Sequence, residues 1–379
     1  MRSPERSRTA RVNARPPGGA RCENVSNNPK KIRGKGMAQP SDLEDRFRGA
    51  LLGTMVGDAL GMPLEGWTSH RIRREVGEVR DMLDGRLERG SFTDDTQMAA
   101  ALAEALLAAE DPSRPDPGRI AEWFARLYDP TRGYGENTGK LLEAIRGGEP
   151  WQRALETHTF PGGSFANGAA MRVAPAALAG HPSPEAVLRL ADLQAEATGH
   201  THPEARFGAR FQALAVLEGL RSPRGSEAQQ PVAFLAKLIP TPTDALGWAE
   251  IPVAFRSAFD WLLRYPEATG DEVGRRIGNG VRAASSVPAA LWAVLRSPSD
   301  PEEVLVRAVS LGGDTDSIAA MAGAIAGALN GASRFPGRWV EALEEGPWGR
   351  SRLLDLADEL YRRNRGATGS ADVVPMGTT

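Results

Sequence analysis

The sequence LGGDTDS at residues 311–317 leads directly into the run IAAMAGAIAGAL at residues 318–329. The second segment has almost no polar side chain and is rich in Ala and Gly, which predicts a helix buried on nearly every face. Asp314 and Asp316 therefore lie where a buried helix begins. The preceding glycines allow a sharp turn, and a helix N-terminus presents unpaired N–H groups to negative charge. Because carboxylates are costly to bury without a partner, we expect a bound metal ion.

A second acidic segment occurs much earlier in the chain, again just before an Ala-rich stretch. Residues 93–97 have the sequence TDDTQ, and a helix is predicted over residues 98–109. An Asp or Thr at a helix start is an ordinary N-cap, so capping alone can explain either cluster. Together the clusters exceed what caps require, and an all-oxygen set selects hard cations such as Mg²⁺, Mn²⁺ or Ca²⁺. The candidate ligands are Thr93, Asp94, Asp95, Asp314, Asp316 and Ser317.

Composition indicates a globular protein with a substantial core. The chain has 379 residues, of which 41% are hydrophobic. Its longest apolar runs are about a dozen residues, shorter than the roughly 20 that span a bilayer, so no membrane helix is predicted. A single cysteine, Cys22, excludes an internal disulfide framework, and the five histidines form no cluster with it that would indicate a zinc finger. We therefore expect a cytoplasmic protein.

Charge divides the chain into a basic arm and a mildly acidic body. Residues 1–37 contain ten Lys or Arg and two Glu, whereas the whole chain has a formal net charge of −2. The arm is rich in Arg, Pro, Ser and Asn and lacks the apolar core of a secretory signal, so we predict a disordered leader over residues 1–40. A functional tail or organelle signal is the alternative. The acidic body argues against nucleic-acid binding by the folded part.

The remaining pattern predicts an all-α single domain over residues 41–365, followed by a flexible tail over residues 366–379. Ser41 is a candidate N-cap for a first core helix over residues 42–60, and further helical segments follow through short loops. No segment shows the Val, Ile and Thr alternation of a strand. Other expectations are an irregular stretch at 68–90, one apolar run over 169–178, an exposed insertion at 222–231 and a helix that begins at Pro288.

Five motifs together resemble the ADP-ribosylglycohydrolase family. They are RGALLGTMVGDALG at 48–61, TDDT at 93–96, NGAAMRVAP at 167–175, Thr201-His202 and LGGDTDS at 311–317. The resemblance covers about residues 45–345 and implies a compact, single-domain orthogonal helical bundle with a binuclear Mg²⁺ or Mn²⁺ centre. Carried over residue by residue, it implies the same six metal ligands, Thr93, Asp94, Asp95, Asp314, Asp316 and Ser317.

The resemblance also implies the chemistry, which is hydrolysis of the bond between ADP-ribose and its acceptor. Glu65 occupies the place where relatives of the serine or O-acetyl type carry a catalytic glutamate, and the other reading of Glu65 is an exposed loop carboxylate. Asp94 and Asp316 are the other candidate catalytic residues. Cleavage at an anomeric carbon usually needs an acid for the leaving group and an activated water. Asp58 is expected to cap or tie down the first helix.

Two glycine-containing loops resemble the family's loops around the pyrophosphate and adenosine. Backbone N–H groups can approach phosphate there without obstruction by side chains. The candidate substrate contacts are Gly133, Tyr134, Gly135, Ser164, Phe165, Asn167, Gly168 and His202. Tyr134 and Phe165 are candidates for stacking on adenine, whereas a structural role for His202 remains equally open. Many relatives have glycine where this chain has Ala166, and Arg172 is expected to be a buried structural residue.

Two alternatives to an enzyme remain at this point. One is a metal- and ADP-ribose-binding protein without turnover, and the other is a helical protein in which the acidic clusters only cap helices. Retention of all six candidate ligands together with Glu65 favours the enzyme. The acceptor bonded to ADP-ribose stays open among arginine, serine, O-acetyl and nucleic-acid ends, with discrimination expected in loops around Trp67, Arg86 and Glu136. The sequence leaves the oligomeric state undetermined.

Overall fold

Helices form nearly all of the regular structure. The computed structural model describes residues 41–222, 234, 238 and 251–369. The helices before the gap are α1 (Asp42–Gly61), α2 (Ser69–Glu75), α3 (Asp94–Ala108), α4 (Pro117–Leu127), α5 (Glu136–Arg146), α6 (Trp151–His158), α7 (Gly168–Met171), α8 (Ala174–Gly180), α9 (Pro184–Glu196) and α10 (Pro203–Arg221). Those after it are α11 (Val253–Arg264), α12 (Gly270–Arg276), α13 (Ala283–Arg296), α14 (Pro301–Ser310), α15 (Thr315–Asn330), α16 (Gly337–Ala342) and α17 (Arg350–Gly369).

The described residues contain no β-strand. Two isolated bridges join Thr68 to Gly312 and Ala166 to Arg282, and both lie in loops. The prediction of an all-α single domain is therefore confirmed. None of the described helices combines the length and apolar character needed to cross a bilayer.

Helix α15 is the centre of the fold, and α1 packs along it. Every residue of α15 is buried, as its Ala- and Gly-rich sequence predicts, and helices α10, α13 and α14 pack around it. On α1, glycines recur at every fourth position and therefore form one face of the helix. A Cβ atom on any of them would overlap the backbone of α15; the four are Gly49, Gly53, Gly57 and Gly61. The two backbones are thus in direct contact along the whole pair.

The antiparallel arrangement of this pair brings the C-terminal end of α1 to the N-terminal end of α15. Gly61 contacts the backbone of Thr315 and Asp316, and Thr315 Oγ1 donates to Gly61 O at 2.8 Å. Asp58, one turn before Gly61, is fully buried and accepts hydrogen bonds from the start of α3. The fold therefore collects the first turns of α3 and α15 at one end of the α1/α15 pair.

Several helix boundaries differ from those predicted. Residues 68–90 include the short helix α2, which Thr68 caps, and α6 has no counterpart in the prediction. The apolar run over 169–178 is divided into α7 and α8 at Arg172 and Val173. Helix α13 begins at Ala283 and contains Pro288 in its interior. Most of α13 is buried, and we attribute its continuity to tertiary packing, which outweighs the backbone hydrogen bond that Pro288 cannot donate.

The predicted leader over residues 1–40 and nearly all of the predicted insertion lie outside the described residues. Ser41 caps α1 in a capping box with Glu44, as expected for the start of the domain. Helix α17 extends to Gly369, beyond the predicted domain end at residue 365. The tail from residue 370 onward is not among the described residues.

Candidate active site

The two acidic clusters predicted from sequence lie next to each other in the structure. Ser317 Oγ, at the start of α15, donates to Asp95 Oδ2 at 3.3 Å, and Thr93 Oγ1 donates to the same oxygen at 3.2 Å. All three side chains are buried. Positions more than 200 residues apart in the chain thus form one oxygen-rich centre between the first turns of α3 and α15 (hereafter the acidic centre).

Capping explains only part of this acidic centre. Thr93 is the N-cap of α3, and its Oγ1 accepts from Asp95 N at 3.3 Å. Asp314 stands at the N-cap position of α15, but its side chain makes no capping hydrogen bond. Its Oδ2 instead accepts from Asn167 Nδ2 at 2.6 Å. Helix capping therefore does not account for the buried carboxylates of Asp95 and Asp314.

Asp58 joins α1 to α3 beneath the acidic centre. Its carboxylate accepts from Thr93 N at 3.0 and 2.9 Å, from Thr96 N at 3.0 Å and from Thr96 Oγ1 at 2.6 Å. Thr93 N and Thr96 N are among the N–H groups at the start of α3 that have no partner within the helix, and the third donor is the Thr96 hydroxyl. Asp58 thus ties α1 down, as predicted, and its partner is the helix that carries Asp94 and Asp95.

Two glycines and one asparagine shape the turn before α15. Gly312 and Gly313 have φ values of 69° and 77°, a region that favours glycine. Gly313 N donates to Trp67 O at 2.7 Å, and Gly66 N donates to Gly313 O at 2.8 Å. On the other side, Asp314 N donates to Asn279 O at 2.8 Å. The turn is therefore held between the loop after α1 and the loop after α12.

Glu65 belongs to the acidic centre although it lies on an exposed loop. One carboxylate oxygen each of Glu65, Asp314 and Asp316 lies within 4.8 Å of the others. The Glu65 side chain is 43% exposed, and its Oε2 lies 3.5 Å from Arg86 Nε. Glu65 therefore lies where the buried acidic centre meets solvent, and it can reach the same space as two buried aspartates.

Burial and mutual repulsion raise the pKa values of the aspartates in the acidic centre. Burial is the larger cause for Asp94, with a pKa of about 7, and it also raises the pKa of Asp314 to about 6. Burial, and then the charge of Asp316, raises the pKa of Asp95. Burial, and then the charge of Asp314, raises the pKa of Asp316. Several negative charges on buried side chains close to one another favour protonation or a bound cation.

The residues of the acidic centre fit a divalent cation. Asp95 Oδ1 is buried and has no hydrogen-bond partner, so it is available as a ligand. All the side chains that meet there offer oxygen, the ligand atom that Mg²⁺, Mn²⁺ and Ca²⁺ prefer. A positive ion would also stabilise the charged forms of carboxylates whose pKa values are raised by burial. The acidic cluster of Glu65, Asp314 and Asp316 can therefore hold a metal ion.

The loop over residues 163–168 borders the acidic centre through Asn167. Asn167 is buried, and its Nδ2 donates both to Asp314 Oδ2 and, at 3.0 Å, to Ser286 Oγ. Gly168 packs against the ring of His200, so that a Cβ atom would overlap it. Ser164 Oγ accepts from Ala166 N at 3.2 Å within the loop. Asn167 thus has an internal partner at the acidic centre, and its predicted contact with substrate stays a prediction.

In this region Phe165 is exposed and His202 is half-buried. Phe165 is 49% exposed, and its ring centroid lies 6.1 Å from that of His202 in an edge-to-face arrangement. His202 Nδ1 accepts from Glu204 N at 3.2 Å, so His202 also caps α10. Arg172 is fully buried and donates to Gln194 Oε1 at 2.8 Å. Arg172 therefore has the structural environment that was expected for it.

The second glycine loop, Gly133–Gly135, lies at the start of α5. Gly133 has a φ value of 93°, and Gly135 is the N-cap of the helix. Tyr134 OH donates to Gln97 Oε1 at 2.7 Å, and its ring packs edge-to-face on Tyr128 at 4.7 Å between centroids. Tyr134 is therefore anchored to α3 through Gln97, two residues after Asp95.

Sequence reasoning missed two residues that shape the site, Asn279 and Ser286, and it missed the partner of a third, Arg86. Asn279, in the Gly278-Asn279-Gly280 turn, holds the Asp314 backbone, and Ser286 holds the Asn167 amide. Arg86 was singled out only as part of a loop, whereas the structure pairs it with Glu65. The glycines on both sides of Asn279 are a turn signal that could have identified this position.

Comparison with known proteins gives a consistent assignment. The ADP-ribosylglycohydrolase family model matches residues 39–369. ADP-ribosylhydrolase ARH3 of Bos taurus is 36% identical over 348 residues, covering 84% of this chain and 92% of its own, and that of Homo sapiens is 35% identical over 353 residues. A solved chain titled "ADP-ribosylglycohydrolase-related protein complex" is 33% identical, with a TM-score of 0.65 over 84% of this chain and 98% of that one. This chain therefore belongs to the ADP-ribosylglycohydrolase family.

Proposed function

We propose that the protein is a metal-dependent hydrolase that removes ADP-ribose from a modified protein side chain or a small acceptor. The bond cleaved is the glycosidic bond at the anomeric carbon of the distal ribose. The observation that supports this most strongly is the junction of Ser317 and Asp95, where two acidic helix starts converge and Asp95 Oδ1 has no partner. In a chain of the ADP-ribosylglycohydrolase family, such a centre is suited to a divalent cation.

We propose two Mg²⁺ or Mn²⁺ ions as cofactors. The residues that would hold them are Thr93, Asp94, Asp95, Asp314, Asp316 and Ser317, with Glu65 added because of its distance to the two aspartates of α15. Ions bound there would orient ribose hydroxyls and lower the pKa of a water molecule. Asn167 would keep Asp314 Oδ2 in place, and Asp58 would keep the first turn of α3 in place.

Glu65 is the proposed acid or base at the bond that is cleaved. It is the partly exposed carboxylate of the cluster, so it can exchange a proton with solvent while it faces the buried aspartates. As an acid it would protonate the departing acceptor, and as a base it would take a proton from the attacking water. Without a bound ion, burial raises the pKa of Asp94 to about 7, and a divalent ion held beside it would lower that pKa and keep the carboxylate charged.

The ADP part of the substrate would lie along the two glycine loops. The exposed ring of Phe165 offers a surface for adenine, with the edge of His202 beside it. In the loop at 163–168, Gly163 N, Ser164 N and Asn167 N already donate to backbone carbonyls. The pyrophosphate would therefore be approached by the remaining N–H groups of this loop and by those of Gly133–Gly135. The proposed partner is therefore an ADP-ribosylated protein or ADP-ribose conjugate. A cytoplasmic location stays a prediction from cysteine content. The domain limits at residues 40 and 365 stay predictions from the helical pattern of the sequence.

A parallel substrate assay tests this function. The full chain would be offered ADP-ribosylated arginine, ADP-ribosylated serine and O-acetyl-ADP-ribose, each with Mg²⁺ or Mn²⁺ and with a chelator. We expect release of free ADP-ribose from at least one substrate, loss of release with chelator, and no release by Asp316→Asn. Binding of ADP-ribose without release from any substrate would support the binding protein instead. Release that persists in chelator would contradict the role of the metal.

A further inference from the structure

Arg86 lies between Glu65 and the turn that precedes the second glycine loop. Its Nη1 donates to Thr131 O at 3.4 Å and its Nη2 donates to Arg132 O at 3.2 Å. Its Nε lies 3.5 Å from Glu65 Oε2. A single guanidinium thus contacts both a proposed catalytic carboxylate and a turn next to the proposed pyrophosphate loop.

The guanidinium of Arg86 is held mainly by the turn. It packs against Gly133, where a Cβ atom would overlap both Nη atoms and Cζ. Its hydrogen bonds go to two backbone carbonyls, whose positions the turn fixes. The pair with Glu65 is looser, because no hydrogen bond joins the two side chains, which are 34% and 43% exposed. Arg86 is therefore the fixed partner and Glu65 the one that can move.

The Glu65 carboxylate can interact with either of two positive charges. On one side is the positive charge of Arg86, and on the other is any cation held with Asp314 and Asp316. A carboxylate that pairs with Arg86 is a weaker ligand for that cation. The charge of Arg86 also repels a divalent ion in the acidic centre directly.

We propose that Arg86 is a positioning residue that competes with the divalent cation for Glu65. It holds the Glu65 carboxylate at the mouth of the acidic centre, where proton transfer is needed, and it lowers the affinity of the centre for the metal. The inference rests on the function proposed above. Its consequence is that removing the charge of Arg86 strengthens metal binding and weakens turnover.

The test measures both quantities on the full chain. For Arg86→Gln, calorimetric titration with Mn²⁺ is expected to give a dissociation constant about fivefold lower than wild type, because a nearby positive charge is removed. The same variant is expected to lose about tenfold in kcat, because Glu65 is no longer oriented. Arg86→Lys, which keeps the charge, should bind Mn²⁺ as wild type does and retain more of kcat than Arg86→Gln.

A second variant tests the same effect on Mn²⁺ binding without a substitution at Arg86. Gly133→Ala would displace the guanidinium and should therefore also strengthen Mn²⁺ binding. The matched control is Arg73→Gln, which removes an exposed arginine that pairs with Asp271 away from the acidic centre and should leave Mn²⁺ affinity unchanged. A general loss of packing would weaken binding and turnover together.

Three results would overturn the inference. One is weaker Mn²⁺ binding by Arg86→Gln, and another is equal affinity of Arg86→Gln and wild type. Either would leave the proposed hydrolase intact, provided that wild type binds Mn²⁺ and releases ADP-ribose. The third is the absence of Mn²⁺ binding by wild type, which would overturn the proposed metal centre and this inference together.

Discussion

The two halves of the α1/α15 pair differ in what they bury. In one half, Gly49 and Gly53 of α1 contact Gly327 and Gly323 of α15, and the contact is backbone on backbone without any charge. At the other end, beside Gly61, the same two helices enclose carboxylates from three different segments. The first arrangement stabilises the fold through close packing. The second places charges where they are unfavourable without a cation, which is expected of a functional site.

The comparison separates stability from function within one helix pair. A change among the glycines should affect folding, and a change among the carboxylates should affect chemistry while it spares or improves stability. Asp58 lies on α1 near the acidic end and accepts hydrogen bonds from the first turn of α3, so it links the helix pair to α3. Substitutions in each half, and at the contact between Asp58 and α3, test whether stability and function are separate in this way.

The largest effect is expected from Gly57→Ile. A Cβ atom at this position would overlap the carbonyl of Ala319, which is helix backbone and cannot rotate away. We expect a loss of about 4 kcal/mol or more in the free energy of unfolding, or no folded protein. Soluble yield and thermal unfolding measure this. Gly366→Ala, at a helical position with open space around it, is the control and should be neutral or slightly stabilising. Normal stability of Gly57→Ile would refute the role of the glycine face.

Asp316→Asn should produce the opposite pattern. We expect turnover to fall about 10³-fold or more, because a proposed ligand loses its charge at the reacting centre. Without metal, the unfolding temperature should equal or exceed that of wild type, because a buried carboxylate whose pKa is raised by burial becomes neutral. Glu122→Gln, which removes an exposed carboxylate paired with Arg119, is the matched control and should retain activity. Strong destabilisation of Asp316→Asn would contradict the separation of stability from function.

Thr96→Val tests the contact between Asp58 and α3. It removes the hydroxyl that donates to Asp58 Oδ2 at 2.6 Å and keeps a similar shape. Loss of this hydrogen-bond donor to a buried carboxylate should lower the free energy of unfolding by about 2 kcal/mol. Chemical denaturation measures the loss. If stability is unchanged, the Thr96 hydroxyl contributes little to the contact between α1 and α3.

The smallest effect concerns pH. The folded pKa values of Asp94 and Asp314 lie at about 7 and about 6, above the ordinary aspartate value of 3.8. A raised folded pKa gives stability that is present at low pH and is lost as pH rises through the folded value. The metal-free protein should therefore have a lower unfolding temperature at pH 8 than at pH 5, by roughly a few degrees. Excess Mn²⁺ should reduce this loss, and the same slope with and without Mn²⁺ would argue against coupling between metal and carboxylates.

Much of the fold was readable from the sequence because its central helix is unusual. An Ala- and Gly-rich run without charge predicted a fully buried α15, and Ser41 correctly marked the start of α1. Errors arose where tertiary contacts overrule local preference. Pro288 suggested a helix start, yet α13 begins at Ala283, in a helix that is buried for most of its length. The short α2 has too few residues to give a clear periodic signal.

The sequence predicted that the two acidic segments form one centre, but it did not predict the contacts between their side chains. The two acidic segments could be found because each has more carboxylates than a cap needs. That Asp95 meets Ser317, and that Asn167 supports Asp314, depends on which helix ends the fold brings together. The pairing of Glu65 with Arg86 likewise depends on two loops whose contact no local pattern encodes.

The central claim is that the charged end of the α1/α15 pair exists to hold divalent cations. Calorimetric titration of the metal-free wild-type chain with Mn²⁺ tests it most directly, with Asp316→Asn titrated beside it. The account predicts two ions bound per wild-type chain and a marked loss of binding in the variant. Absence of Mn²⁺ and Mg²⁺ binding by a folded wild-type protein, or binding that is unchanged in Asp316→Asn, would contradict the claim.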